Sequence, residues 1–350
     1  MAMRSLAEMA VAGKKVLVRV DFNVELDDRA HIQEGYRLEV VKNTLKYLLD
    51  SGAGSIALLS HYGRPEGTPN AKYSLSRLRD EVERVLGQPV VFVDVCFGEK
   101  VSTALQSLPQ RSLLLLENVR FHAEEEANDA QFSRNVAAPF DLFVNEAFSA
   151  SHRAHASIVG IPQYLESCAG FRFIEEVTQL SELRQSPARP AVAIIGGAKI
   201  ETKLPLIRAM EETYDCVLVG GKIANEAIDQ KIEFGEKVLL PKDFDSDQRL
   251  DIGPHTAAFY AEIIKKAKTI VWNGPMGKFE EKPYDFGTQM ILAAILESDA
   301  FVVIGGGESL AVLEKAGVFS KIGFVSSGGG AMLEFLSGKA LPGMTALEAV

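Results

Sequence analysis

Eleven short apolar runs recur along the 350 residues, at 15–21, 55–60, 90–95, 112–117, 141–145, 191–196, 215–220, 237–241, 269–273, 299–304 and 322–327. Nearly all are continuous rather than alternating. A strand apolar on both sides needs cover on both faces, and that is the environment of a parallel sheet with helices above and below it. The stretches between the runs carry helical spacing, clearly so at 74–86, 255–267 and 285–297. The alternation predicts an α/β fold with open, mainly parallel sheets, and the length predicts two domains.

The predicted boundary is the polar, helix-like FIEEVTQLSELRQ leading into SPARP at 186–190. It divides the chain into a first domain at 1–171, a linker helix at 172–190 and a second domain at 191–335. A tail at 336–350 is expected to pack back toward the first domain.

Ligands of open α/β sheets sit beyond the carboxyl ends of the strands, and there the halves differ. The first half places arginine and histidine after its runs, in VRVDFN, SHYGR, LENVRFH and SHRAH. The second half places glycine clusters, in GGAK, VGGK, WNGPMG, GGGES and SSGGGA. Arginine forks suit a small fixed anion. Glycine loops let backbone N–H groups close on polyphosphate at helix N-termini. The pattern suits an enzyme that joins two phosphorylated substrates, one per half.

A net charge of −10 argues against a general role at nucleic acid or membrane surfaces. Any anion site must be a local concentration of positive charge. Cys96, Cys168 and Cys216 form no C-x-x-C pair and no zinc spacing, which fits a reducing, cytoplasmic setting. The N-terminal residues lack the apolar run of a signal peptide, and no stretch is long and apolar enough to span a bilayer. A monomer is expected.

In VRVDFN, Asp21 and Asn23 share one side of a strand end; taken alone, the motif reads as a turn with an Asx hydrogen bond. Arg37 opens the next helix. In SHYGRP, Gly63 and Pro65 make a rigid turn that presents His61 and Arg64. Arg120 and Arg153 follow two further runs. Each alone is an ordinary loop residue, but four strand ends carrying Arg or His point to a shared anion, a phosphate and a carboxylate on one small molecule.

In the second half, Lys199 and Lys203 are expected four apart on one face of a starting helix, both able to reach a transferring phosphoryl group. Glu308 and Ser309 open another helix, where Glu308 could hold magnesium on nucleotide phosphates. SSGGGA, with Gly328 and Gly329, is a second phosphate cradle. Glu280 could accept ribose hydroxyls, and Trp272 reads as core. Neither G-x-x-x-x-G-K-[ST] nor G-x-G-x-x-G occurs.

The ordered set RVDFNV, SHYGRP, LLENVRFH, VNEAFSASHRAHAS, GGAK, LDIGP, WNGPMG, GGGES and SSGGGA resembles phosphoglycerate kinases over nearly the whole chain. The resemblance implies two Rossmann-like domains joined by a helix and a hinge. It implies reversible phosphoryl transfer between 1,3-bisphosphoglycerate and ADP, in line, after domain closure, with Mg2+ as cofactor. Asp21, Asn23, Arg37, His61, Arg64, Arg120 and Arg153 match the family's acid-binding residues. Gly197, Lys199, Lys203, Asn273, Glu280, Gly306, Gly307, Glu308, Ser309, Gly328 and Gly329 match its nucleotide side, and Arg37, Lys199 and Lys203 its catalytic groups. Glu308 matches the metal-binding position.

The chain departs from the family pattern at several places. Glu146 and Glu308 stand where Asp is usual, Lys222 where a third glycine is usual, and Lys278 where a small apolar residue is usual. Ser149-Ala150 replaces Gly-Thr. Roughly one βα unit, about 30 residues, is missing between Ala227 and Leu250. The concentration of departures on the nucleotide side keeps two alternatives open: a non-catalytic paralogue that binds a phosphorylated metabolite, and a related kinase with altered nucleotide preference.

Overall fold

The computed structural model describes residues 3–24, 26, 32 and 35–348. They form two units, 1–177 with 340–350, and 178–339.

The first unit is built on six parallel strands: β1 (Lys15–Arg19), β2 (Ser55–Leu59), β3 (Val90–Val93), β4 (Leu113–Leu116), β5 (Leu142–Asn145) and β6 (Glu166–Ala169). Their spatial order is β3-β4-β2-β1-β5-β6. The α-helices are α1 (Tyr36–Glu39), α2 (Lys42–Asp50), α3 (Arg79–Leu86), α4 (Glu99–Ser107), α5 (Ala123–Glu126), α6 (Ala130–Ala137) and α7 (Phe171–Gln185).

The strand runs are largely apolar because both faces are covered. On β1, Val16 and Val18 enter one core with Ile56 and Leu58. Leu17 points the other way, into a second core with Ala57, Leu59 and Phe143. This is the period of two expected of a strand buried on both faces. The unit division falls inside α7, between Val177 and Thr178. Residues 340–350 belong to the first unit, where Gly343 N donates to Ser151 O at 2.9 Å.

The second unit holds β7 (Ala191–Ile195), β8 (Cys216–Val219), β9 (Val238–Leu239), β10 (Thr269–Asn273), β11 (Phe301–Gly305) and β12 (Phe324–Ser326). Its helices are α8 (Ile200–Thr213), α9 (Gly221–Asp229), α10 (Pro254–Ile264), α11 (Phe286–Glu297), α12 (Gly307–Ala316) and α13 (Gly329–Leu336); α14 (Pro342–Thr345) follows in the tail. The sheet runs β12-β11-β10-β7-β8-β9, again all parallel. Counted from β7, this is the doubly wound dinucleotide-fold order, with its topological switch point between β7 and β10. Trp272 is fully buried and donates from Nε1 to Gly274 O at 2.8 Å, a core role.

Two details differ from the sequence reading. β6, with the short and mostly small or polar run Glu-Ser-Cys-Ala, has no counterpart among the eleven runs. It is the last strand of the sheet, paired along its length to β5 and on its other side bridged only at Ala169, to Ser5, so it needs less apolar surface. The run at 237–241 yields only two strand residues. Among the described residues, no helix is long and apolar enough to cross a membrane.

Candidate active site

The acid-side residues gather at the carboxyl ends of β1, β2, β4 and β5. Asp21 follows β1 and is 7% exposed. Its Oδ1 accepts Asn23 N at 3.0 Å, an Asx turn. Its Oδ2 accepts Arg37 Nη1 at 2.7 Å and also the Ser149 hydroxyl. Asn23 Oδ1 accepts Gly63 N at 2.7 Å, and Gly63 O accepts Arg120 Nη1 at 3.0 Å. A continuous hydrogen-bonded path therefore joins Asp21, Asn23, Arg37, Gly63 and Arg120.

Gly63 has φ +63°, and a Cβ there would lie 2.3 Å from the Tyr73 ring. Only glycine allows this turn, which leaves Arg64 exposed. Arg153 is half-buried, with Nε 3.3 Å from His152 Nε2.

Burial raises the Asp21 carboxyl, but Arg37 beside it holds the group well below the usual carboxylate range. Burial pulls Arg120 down to about 10, and the nearby charges of Arg19 and Arg153 push the same way. His155 falls to about 4 through burial and the charges of Arg120, Arg153 and Arg19. In a chain of net charge −10, cations that mutually disfavour their own charge mark a place built for an anion. Arg19, Ser149 and His155 belong to this cluster and were not among the binding residues expected from sequence. Arg19 is hidden there because it is one polar letter inside the apolar run of β1.

On the second unit the loops after β7 and β10 meet backbone to backbone at the switch point. Gly196 N donates to Asn273 O at 2.8 Å. A Cβ on Gly196 would lie 2.0 Å from Pro275 O, and one on Gly274 2.3 Å from Gly196 O. Glycine is required here by close approach. Asn273 Oδ1 accepts Lys203 Nζ, and its Nδ2 donates to Gly305 O at 2.6 Å. Gly306, φ +105°, passes close over that amide.

Lys199 and Lys203 do not share a helix face. Lys199 is the exposed N-cap of α8, with extended backbone, whereas Lys203 lies within the first helical turns and is half-buried. Burial lowers Lys203 to about 8, and Glu308 opposes the shift. Ser309 is fully buried, and its Oγ accepts Gly274 N at 2.8 Å, so it ties α12 to the β10 loop. Gly329 packs on Gly306, where a Cβ would lie 2.9 Å from Gly306 Cα, and Gly328 N donates to Ser326 Oγ at 3.2 Å.

Beside these loops lies a cavity of about 470 Å³, lined among others by Gly197, Lys222, Arg249, Lys278, Glu280 and Glu308. Such a volume suits a small-molecule ligand. Lys222 and Lys278 are each held by an acidic neighbour, Glu226 at 3.8 Å and Glu281 at 2.6 Å. Arg249, at φ +52°, closes one wall. Its Nη2 binds Asp229 at 2.7 Å, and its carbonyl accepts Asn225 Nδ2 at 2.8 Å. Gln248, Arg249 and Leu250 thus line the cavity where the chain is shortened. Glu280 and Glu308 are exposed.

The family profile described as phosphoglycerate kinase matches residues 6–243 and 227–339. The phosphoglycerate kinase of Moorella thermoacetica is 40% identical, over 99% of both chains. The chain belongs to the phosphoglycerate kinase family. That of Rhodospirillum centenum is 41% identical, over 100% of both. The solved phosphoglycerate kinase of Pyrococcus horikoshii is 30% identical, with a TM-score of 0.87 over 99% of this chain and 98% of that one. The protein is accordingly a phosphotransferase, and its reaction is the family's glycolytic phosphoryl transfer.

The Moorella alignment runs over 392 positions against 350 residues, so at least 42 positions have no residue here. The profile match breaks and overlaps at 227–243, within the stretch that the sequence reading gave as shortened.

Proposed function

We propose that the arginine cluster of the first unit binds 3-phosphoglycerate or 1,3-bisphosphoglycerate, and that the cavity of the second unit binds ADP or ATP. The observation that carries this is the Asp21–Arg37 pair beside Arg120. It sets a carboxylate for a substrate hydroxyl next to guanidinium groups for carboxylate and phosphate.

The reaction needs no covalent enzyme intermediate. An acyl phosphate leaves a carboxylate behind, which requires no general acid. Catalysis then rests on in-line positioning and on neutralising charge at the migrating phosphoryl oxygens. Arg37 supplies that charge from the acid side, and Lys199 and Lys203 from the nucleotide side. Asn273 holds the Lys203 ammonium in place by accepting its proton-bearing end. Direct transfer after domain closure excludes water from the reacting groups.

The residues present fit Mg2+ carried by a nucleotide. Glu308 is a hard oxygen donor at the cavity wall with no hydrogen bond or ion pair among the described residues. No group of three or more His, Cys, Asp or Glu among them could cage a metal, so phosphate oxygens must complete the coordination, the usual habit of Mg2+. Bound there, Mg2+ supplies neutralisation of the nucleotide phosphates.

A coupled assay tests the proposal. ATP should form from 1,3-bisphosphoglycerate and ADP, with activity lost on chelation and restored by Mg2+. Glu308→Gln should raise the Mg2+ concentration for half-maximal rate by roughly tenfold. Turnover unaffected by removal of Arg37 would overturn the assignment of the acid site. A panel of nucleoside diphosphates then decides whether the Lys222, Lys278 and Arg249 side of the cavity alters nucleotide preference.

A further inference from the structure

Arg19 lies within β1 and is 1% exposed. Its guanidinium donates from Nε to Ser157 Oγ at 2.8 Å and from Nη1 to Val20 O. Its Nη2 lies 3.1 Å from His61 Nδ1. Ser157 in turn donates its hydroxyl to Glu125 Oε1 at 2.6 Å and its N–H to Glu125 Oε2 at 2.8 Å. Glu125 is fully buried, so a buried carboxyl group, which burial itself pushes up, anchors the chain at its far end.

A guanidinium carries only donors and keeps its proton in proteins. The contact between Nη2 and Nδ1 therefore requires Nδ1 to be the acceptor. A ring whose Nδ1 holds a lone pair is neutral only with its proton on Nε2. A doubly protonated ring would set two N–H groups against each other across 3.1 Å. Asp21 Oδ1, at 3.9 Å from the same Nδ1, is beyond hydrogen-bond reach and cannot claim that position. Burial holds the ring well below its ordinary value; of the charged groups that act on it, Asp21 opposes the shift and Arg19, Arg120 and Arg37 add to it. Nε2 has no hydrogen-bond partner among the described residues and is not a buried orphan atom.

We propose that Arg19 is a positioning residue. Through the buried Arg19–Ser157–Glu125 chain it fixes His61 as the neutral tautomer protonated on Nε2, so that His61 meets the substrate as an uncharged hydrogen-bond donor. The geometry serves the site physically. Arg37, Arg120 and Arg153 already supply positive charge, and an imidazole free to titrate would make the donor vary with pH near neutrality. The fixed tautomer supplies direction without charge. The inference rests on the reading of His61 as a substrate contact.

The experiment uses the whole chain, 15N-labelled at histidine and free of substrate, with the His61 signals assigned by their loss in His61→Gln. Two-bond 1H–15N correlation is expected to show one neutral ring protonated on Nε2, unchanged between pH about 5.5 and about 8.5. A His61 that titrates in that range, or carries its proton on Nδ1, overturns the proposal whether or not any variant folds.

In Arg19→Met the ring is expected to lose its single tautomer and to show protonation on Nδ1 as well as Nε2. The KM for 3-phosphoglycerate should then rise by about tenfold, with kcat changed by less than about threefold. A raised KM with the His61 spectrum as in the parent would show a merely structural Arg19 and overturn the proposal. The spectrum needs no substrate. An unchanged KM for 3-phosphoglycerate in His61→Gln would overturn the underlying substrate reading separately.

Discussion

Lys203 donates its ammonium to the side-chain oxygen of Asn273, and Asn273 passes its own amide to Gly305 O at 2.6 Å. A cation is thereby held at the edge of the β7–β10 switch point, where burial disfavours its charge. Asn273 comes from the end of β10 and Lys203 from α8, so the pair exists only because the sheet brings these two elements together.

Removing that charge should stabilise the protein and inactivate it. Lys203 ionises near 8 rather than at its ordinary 10.5. Between those values the unfolded chain binds more protons than the folded one. The stability contribution of this group therefore rises with pH across that window and is unfavourable below it. The unfavourable part is at most roughly 3 kcal/mol at 1.36 kcal/mol per unit. Lys203→Met should raise the thermal midpoint at pH about 7, and lower turnover by about 1,000-fold or more. Calorimetry and the coupled assay read the two effects separately.

Loss of Arg37 should free Asp21. The Asp21 carboxyl sits below its ordinary 3.8, against burial and because of Arg37. Its contribution to stability is present above that ordinary value and is lost as pH falls through the folded one. Arg37→Ala should move the acid-unfolding midpoint to higher pH and cut kcat by about 100- to 1,000-fold. Acid titration followed by circular dichroism checks the first part.

Glu146 should give the stability curve a slope of opposite sign. Its Oε1 accepts Arg172 N at 3.1 Å and the Thr44 hydroxyl, and its Oε2 accepts Phe173 N at 3.3 Å, at the start of α7. Burial raises it to about 7 from 4.5, against those bonds. The folded state binds more protons between these values, so stability falls as pH rises from about 4.5 to about 7, by up to roughly 3 kcal/mol. Glu146→Gln should flatten that part of the curve in urea titrations at stepped pH. Gly170 makes room for the longer side chain, since a Cβ there would lie 1.8 Å from Glu146 Oε2.

Arg249 should matter to one substrate only. Its bond to Asp229 and its carbonyl's bond from Asn225 brace the shortened wall of the cavity. Arg249→Ala should raise the KM for ADP by about three- to tenfold and leave that for 3-phosphoglycerate within about twofold. A change in both would count against a role of Arg249 confined to the cavity proposed for the nucleotide.

The sheets were legible because most of their strands are nearly continuous apolar runs, a pattern with few other causes. β6 was not, because an edge strand of Glu-Ser-Cys-Ala buries too little to leave that mark. The strand-end histidine and arginines were legible as a repeated placement, and the structure links Asp21, Asn23, Arg37 and Arg120 through Gly63. Helical spacing misplaced Lys199 because it cannot say where a helix starts: the cap is set by backbone geometry at residue 199, and only Lys203 enters the turn. Ser309 and Gly328, expected from sequence as ligand groups, also take part in bonds between a serine hydroxyl and a backbone N–H, which motif spacing does not show.

Sequence alone determined the α/β class, the strand ends at which the chemistry gathers, and the family. These follow from local pattern and from motif order, both written along the chain. Tertiary structure decided the strand orders, the switch point that pairs Gly196 with Gly274, the protonation imposed on His61 by Arg19, and the closing of the cavity wall by Arg249. Each depends on distances between residues far apart in the chain, and it is those distances that set close approach, hydrogen bonding and charge.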